Sequence, residues 1–122
     1  MSNSHSKPQD FVFATRLADC PRRAPTYLEI GGRKVVLVRL TSPDRLCCVD
    51  ALCPHEGASL AAGEVVGQKL ICPQHHLKFD LITGACEQMP NMGLNRYATR
   101  IENGDVLVCP VPIIHRPPTL GT

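Results

Sequence analysis

Short apolar runs, broken by glycine, proline, asparagine and aspartate, follow one another along the chain from Phe11 onward. The clearest unit is TYLEIGGRKVVLVRL, in which Gly31-Gly32 joins two β-prone runs. NRYATRIENGDVLVCPV repeats this design around Asn103-Gly104, and LKFDLITGAC does so around Thr83-Gly84. Gly-Gly and Asn-Gly pairs readily adopt the positive φ angles of a tight turn, so the pattern predicts three β-hairpins.

A helical pattern is missing from the same stretch of sequence. SLAAGEVV comes nearest to an apolar stripe, but Gly63 and Gly67 interrupt it. TSPD at 41–44 predicts a further turn before the apolar run 46–49. Many short strands at this spacing predict an all-β fold, a sandwich or a barrel.

The ends of the chain differ from its middle. Residues 1–10 are polar and include a proline, which predicts a flexible N-terminus, and the Pro-rich segment 112–122 is expected to run extended over the surface. We therefore expect one domain over 11–111. His5 and His115 lie in these two ends, which we expect to be flexible, and a ligand role is not expected for either.

The composition of the chain argues against several classes of function. The 122 residues are 43% hydrophobic and 20% charged, with a net charge of +2, no Trp and two Tyr, so nucleic-acid binding is not expected. No apolar run follows MSNSHSKPQD, so neither a signal peptide nor a membrane anchor is predicted, and a cytoplasmic location is expected. Seven cysteines form an odd set, which favours reduced thiols, some of them metal ligands, over a disulfide framework.

Two Cys/His pairs carry the candidate chemistry. Cys53-Pro54-His55 is followed after 16 intervening residues by Cys72-Pro73-Gln74-His75, and each pair begins just after a β-prone run. Strand ends hold loop ligands in place, which is what a metal site needs. Zinc is one possible occupant, although zinc sites usually pair Cys with Cys and His with His. Here each loop contributes one Cys and one His, an arrangement that suits a binuclear iron–sulfur cluster with two cysteines on one iron and two histidines on the other.

The residues around these pairs resemble a known family. CPHEGASLAAGEVVGQKLICPQHHLKFDLITG is similar to the Rieske ferredoxin pattern, whose loops read C-P-H-x-G-A-x-L and C-P-x-H-G-x-x-F-D before a T-G turn. The resemblance covers about residues 11–111. It implies a Rieske fold of stacked antiparallel sheets, with a small cluster-binding subdomain formed by two loops. It also implies one [2Fe-2S] cluster per chain, bound by Cys53, His55, Cys72 and His75. Further matches are Gly57, Ala58, Leu60, Pro73, Phe79, Asp80 and Gly84, with Pro90, Leu94 and Tyr97 where the family has a loop near the cluster and its last strands.

The ligand set and its surroundings predict the redox behaviour. Two ferric ions, two sulfides and two thiolates sum to a neutral oxidised site, which accepts an electron more easily than a site with four thiolates. High-potential Rieske proteins resemble C-T-H-x-G-C and C-P-C-H-G-S-x-Y, with an extra disulfide and with Ser and Tyr hydroxyls that donate to sulfur. This chain has Ala58 and Gln74 at the cysteine positions, and Leu77 and Phe79 at the hydroxyl positions. The potential is therefore predicted at the low end of the Rieske range, on the order of −150 mV.

One residue departs from the family pattern. The family usually has glycine after the second histidine, and this chain has His76. A ligand role for His76 would disrupt the Cys-x-x-His spacing, so we expect an imidazole at the loop surface and a local change of backbone.

The other cysteines and the acidic residues show no pattern that predicts a ligand or catalytic role. Adjacent Cys47 and Cys48 should point to opposite faces of a strand. Buried apolar packing is expected for most of Cys20, Cys47, Cys48, Cys86 and Cys109. No acid–base pair is evident, and Asp80 is expected to support a turn.

These features imply a soluble one-electron carrier and not an enzyme. The remaining histidines cannot build the mononuclear iron site of an oxygenase subunit. The resemblance implies transfer from a flavin NAD(P)H reductase to a Rieske-type ring-hydroxylating oxygenase. The alternative is the small subunit of an assimilatory NAD(P)H nitrite reductase, with that enzyme's large subunit as acceptor.

Overall fold

The structure, a computed structural model, describes residues 10–41, 44–55 and 57–116. Within these ranges it contains β-strands and short 3-10 turns, including Leu17–Asp19 and Leu60–Ala62, and no α-helix, which confirms the all-β prediction. The strands are β1 Val12–Arg16, β2 Pro25–Ile30, β3 Arg33–Thr41, β4 Asp44–Asp50, β5 Glu64–Val66, β6 Lys69–Ile71, β7 Lys78–Asp80, β8 Arg96–Tyr97, β9 Thr99–Glu102 and β10 Asp105–Val108.

The strands form three antiparallel sheets. A central sheet has the order β2-β3-β4-β8, a second sheet has β1-β10-β9, and a small third sheet has β5-β6-β7. The third sheet is inserted in the chain between β4 and β8, so the sequence from the end of β4 to the start of β8 forms a subdomain of its own. The candidate ligands all lie in this insertion.

Strand β3 explains how the sheets stack. Its alternate residues Val36 and Val38 belong to a core shared with the third sheet, whereas Val35 and Leu37 belong to a second core shared with β10. Because side chains alternate across a strand, an uninterrupted apolar run is buried on both faces. The central sheet is thus the middle layer of the fold.

Two of the three predicted hairpins form as expected. Gly31 and Gly32 have φ angles of 55° and 80°, and Asn103 and Gly104 have 53° and 82°, so both two-residue turns use the left-handed region. The third predicted hairpin, around Thr83-Gly84, is confirmed only as a bend. Phe79 in β7 pairs with Cys86 through an isolated bridge and not through a second strand.

The described part of the C-terminal segment is hydrogen-bonded to the central sheet. Ile113 pairs with Arg96 of β8 through two backbone hydrogen bonds of 2.6 and 3.0 Å, and the His115 N–H donates to the Asn95 side chain at 2.8 Å. The prediction that His115 lies in a flexible end is therefore wrong, because the segment extends the central sheet at its β8 edge. His5, most of the predicted N-terminal segment, the middle of the TSPD turn and the last six residues lie outside the described residues.

Candidate metal centre

The first ligand loop begins where β4 ends. Leu52 and Ser59 form an isolated bridge that closes its base. Inside it, the Cys53 N–H donates to the Ala58 carbonyl at 2.8 Å, and the Cys53 carbonyl accepts from the Gly57 N–H at 2.7 Å. These two hydrogen bonds thus fix the cysteine backbone on both sides.

The second ligand loop begins where β6 ends and repeats this arrangement. The Cys72 N–H donates to the Leu77 carbonyl at 2.8 Å, and the Cys72 carbonyl accepts from the His76 N–H at 3.0 Å. In both loops the residue four positions after the cysteine has a positive φ, 77° for Gly57 and 58° for His76. Two loops of the same backbone design therefore present one Cys/His pair each.

The four predicted ligands differ in solvent exposure. Cys53 and Cys72 are 3% and 1% exposed and belong to the same core, whereas His55 and His75 are exposed. The two imidazole rings meet edge to face, with centroids 5.1 Å apart and planes at 80°. The structure thus buries the two cysteines in one core and exposes the two imidazoles, which contact each other.

His76 occupies the position that glycine occupies in the first loop. Its φ of 58° lies in the left-handed region, as the φ of Gly57 does in the first loop. A non-glycine residue in this region costs about 1–2 kcal/mol. The expectation of a surface imidazole is confirmed, because the His76 side chain is exposed.

A third loop, residues 86–94, supports the second ligand loop through Gln88. The Gln88 amide accepts from the Lys78 N–H at 2.9 Å and donates to the His76 carbonyl at 3.3 Å. Sequence reasoning missed this residue, and nothing in ACEQMP marks it as a partner of a loop 12 positions earlier.

Two aspartates have structural roles. The Asp80 carboxylate accepts from the Ile82 and Thr83 N–H groups, which confirms the predicted turn support. Burial alone would raise the pKa of the Asp80 carboxyl. Hydrogen bonds from Gln68, Thr83 and Ile82 outweigh this effect, so the pKa lies below its ordinary value. Asp50, for which sequence reasoning found no role, accepts from the Tyr97 hydroxyl at 2.7 Å.

The other five cysteines are packing residues. All are buried, and Cys47 and Cys48 belong to different cores on opposite faces of β4, as predicted. Burial raises the pKa of the Cys20, Cys47 and Cys48 thiols. A raised pKa disfavours the thiolate that binds metal.

The candidate donors, all of them within the described residues, do not form a site for a single metal ion. No group of three or more Cys, His, Asp or Glu side chains could hold one metal ion in the described part of the chain. A binuclear cluster requires only two protein donors for each iron, and two thiols with two imidazoles are the donors that a Rieske centre uses. The residues present fit that cluster.

The chain belongs to the Rieske [2Fe-2S] domain family, whose match covers residues 10–99. Its cofactor is accordingly a [2Fe-2S] cluster. The chain is 27% identical over 101 residues to the ferredoxin component of the naphthalene 1,2-dioxygenase/salicylate 5-hydroxylase systems of Ralstonia sp., covering 82% of this chain and 95% of the relative.

Solved structures show the same fold. The ferredoxin of carbazole 1,9a-dioxygenase from Nocardioides aromaticivorans IC177 superposes with a TM-score of 0.75 at 27% identity, over 82% of this chain and 97% of that one. A proposed NADH-dependent nitrite reductase small subunit from Mycobacterium tuberculosis has a TM-score of 0.74 at 21% identity, over 80% and 92% of the two chains. Within the described residues, no helix is long and apolar enough to cross a membrane.

Proposed function

We propose that Cys53 and Cys72 bind the inner iron of the cluster and that His55 and His75 bind the outer iron. The observation that carries this proposal is the pairing of two buried cysteines with two exposed, mutually contacting imidazoles on loops of one design. A buried thiolate needs a compensating cation, which the inner iron supplies. The exposed imidazoles leave one edge of the site open to a partner.

The protein then acts as a one-electron carrier and not as an enzyme. The bound cluster supplies reversible one-electron chemistry, and the chain holds the ligands and excludes water from the cysteine side. We propose a flavin NAD(P)H reductase as the electron donor and a Rieske-type ring-hydroxylating oxygenase as the acceptor. The similarity to ferredoxin components of dioxygenase systems supports an oxygenase as the acceptor. We propose a cytoplasmic location, and 11–111 as the bounds of the cluster domain.

The surroundings of the second loop support a low potential. Leu77 and Phe79 are buried at 8% and 0% exposure and have no hydroxyl to donate to a cluster sulfur. Hydrogen bonds to sulfur stabilise the reduced cluster, so their absence lowers the potential. We expect a midpoint of about −150 mV. A midpoint above about +100 mV in a redox titration would contradict this assignment of subtype.

Ligand substitution tests the proposed binding site. H75A and H55A should abolish the visible absorption of the cluster, because each removes one of four protein donors. H76G is the matched control: it changes the neighbouring exposed imidazole and should leave the absorption intact. Loss of the spectrum in H76G with retention in H75A would reverse the assignment. Two iron atoms per purified chain are expected, and a colourless protein with one zinc would refute the cluster.

The second candidate function is the small subunit of an assimilatory NAD(P)H nitrite reductase, since the fold is equally similar to a protein of that kind. Reduced protein mixed with a ring-hydroxylating oxygenase should be reoxidised in the presence of substrate, without forming a lasting complex. A stable stoichiometric complex with a nitrite reductase large subunit on gel filtration would favour the alternative.

A further inference from the structure

The two ligand loops share one backbone design but differ at the residue with positive φ. Gly57 adopts φ 77° without cost, and its missing Cβ would meet no atom within 4 Å. His76 adopts φ 58° at the same position of the second loop, where a side chain makes this conformation unfavourable. The second loop therefore needs an added interaction to remain in the shape that the first loop adopts freely.

Gln88 supplies that interaction. Its amide N–H donates to the His76 carbonyl at 3.3 Å, while its amide oxygen accepts from the Lys78 N–H at 2.9 Å. The Glu87 N–H also donates to the Lys78 carbonyl at 2.8 Å. The third loop thus fixes the chain on both sides of Leu77. The first loop does not need such an interaction, because glycine adopts the left-handed conformation unaided.

We propose that Gln88 is a positioning residue for the cluster, which holds His76 in its left-handed conformation and thereby sets the direction of the His75 imidazole. His75 and His76 share a peptide bond, so rotation of the His76 backbone turns the imidazole next to it. The inference rests on the proposed ligation by His75 and goes beyond it, because it assigns a role to a residue outside both ligand loops.

The test is a double-mutant cycle on the cluster-loaded protein. Gln88 and His76 are both exposed, so Q88A and H76G remove little packing and should fold. Q88A should release iron to a chelator roughly 3- to 10-fold faster than the wild type, the range expected for loss of one or two hydrogen bonds. In the H76G background the same substitution should change the rate less than about 2-fold, because glycine takes the left-handed conformation unaided.

A spectroscopic readout separates positioning from general stability. Q88A should shift the g-values of the reduced cluster in its EPR spectrum, and the Q88A/H76G double variant should recover the spectrum of H76G alone. Q88E keeps the acceptor for the Lys78 N–H but loses the amide donor, so it should shift the spectrum as Q88A does. Q68A is the matched control. It removes an amide that donates to Asp80 at 2.8 Å, away from the ligand loops, and should leave the g-values unchanged.

The outcomes are distinguishable from failure of the proposed ligation. Unchanged g-values and iron release in Q88A would overturn the role of Gln88. Equal effects of Q88A in the wild-type and H76G backgrounds would overturn its action through His76. Retention of the normal spectrum in H75A would instead refute the ligand assignment itself.

Discussion

Substitution of Gly84 by alanine should destabilise the protein for two separate reasons, an unfavourable backbone conformation and a steric clash. Gly84 has φ 84°, and a Cβ built on it would lie 2.3 Å from the Leu94 carbonyl oxygen. The left-handed conformation costs alanine about 1–2 kcal/mol. The Leu94 carbonyl must also retreat by at least about 0.7 Å to restore a permitted contact, and overpacking of this kind costs about 1–3 kcal/mol.

Gly67 provides the matched control. It has φ 61°, and nothing lies within 4 Å of its Cβ position, so G67A pays only for the backbone conformation. Alanine also reduces the entropy of the unfolded chain by about 0.4–1 kcal/mol, but this term applies to both variants and cancels in the comparison. The difference between G84A and G67A therefore isolates the steric contact with Leu94, at about 2 kcal/mol.

Thermal unfolding of the cluster-loaded variants at one scan rate measures this difference. For a domain of about 100 residues, 2 kcal/mol corresponds to a difference in Tm of roughly 10 °C. A fixed scan rate matters because cluster loss makes unfolding irreversible. G84A and G67A with Tm values within about 2 °C of each other would refute the close approach of the third loop to Gly84.

Two further substitutions test the aspartates. Y97F removes the hydroxyl that donates to Asp50 and should lower the free energy of unfolding in urea by about 1–3 kcal/mol. The control Y27F removes an exposed hydroxyl that donates to Glu29 and should lower it by less than about 0.5 kcal/mol. Equal losses in the two variants would contradict the structural role of Asp50. The pKa of Asp80 is lowered in the folded state, so its stabilisation is complete above the ordinary pKa of 3.8 and is lost as the pH falls through the folded-state pKa. D80N lacks this titration, so its Tm deficit relative to the wild type should narrow from pH 6 towards pH 3, and a constant deficit would contradict the lowered pKa.

The parts of the fold that follow from local chemistry could be predicted from the sequence. Gly31-Gly32 and Asn103-Gly104 specify their turns because few other pairs tolerate two positive φ angles. The ligand loops could be placed because each Cys/His pair directly follows an apolar run, and loops begin where strands end. The alternation of Cys47 and Cys48 between two cores follows from the period of a strand.

The interactions that could not be predicted join residues far apart in the chain. Asp50 meets Tyr97 across 47 positions, and Asn95 binds the His115 backbone across 20. Gln88 reaches His76 across 12 positions, over a β-strand and a turn. Neither partner in these pairs has a local sequence signal, because what brings them together is the pairing of strands and loops that are far apart in the chain. The left-handed conformation of His76 escaped prediction for the same reason, since its support comes from another loop.

The arrangement of the two loops also explains how one chain can separate control of the potential from recognition of a partner. The cysteine side of the proposed site is enclosed by the core that contains Leu77 and Phe79. Residues there adjust the electrostatic environment of the sulfurs and cannot touch another protein. On the opposite side, His55 and His75 face solvent and are accessible to a partner surface. Substitutions of exposed loop residues can therefore alter partner choice without changing the buried residues to which we attribute the expected low potential. A carrier that serves different oxygenases in different relatives needs this separation, because its potential must lie between those of its donor and its acceptor whatever surface the acceptor presents.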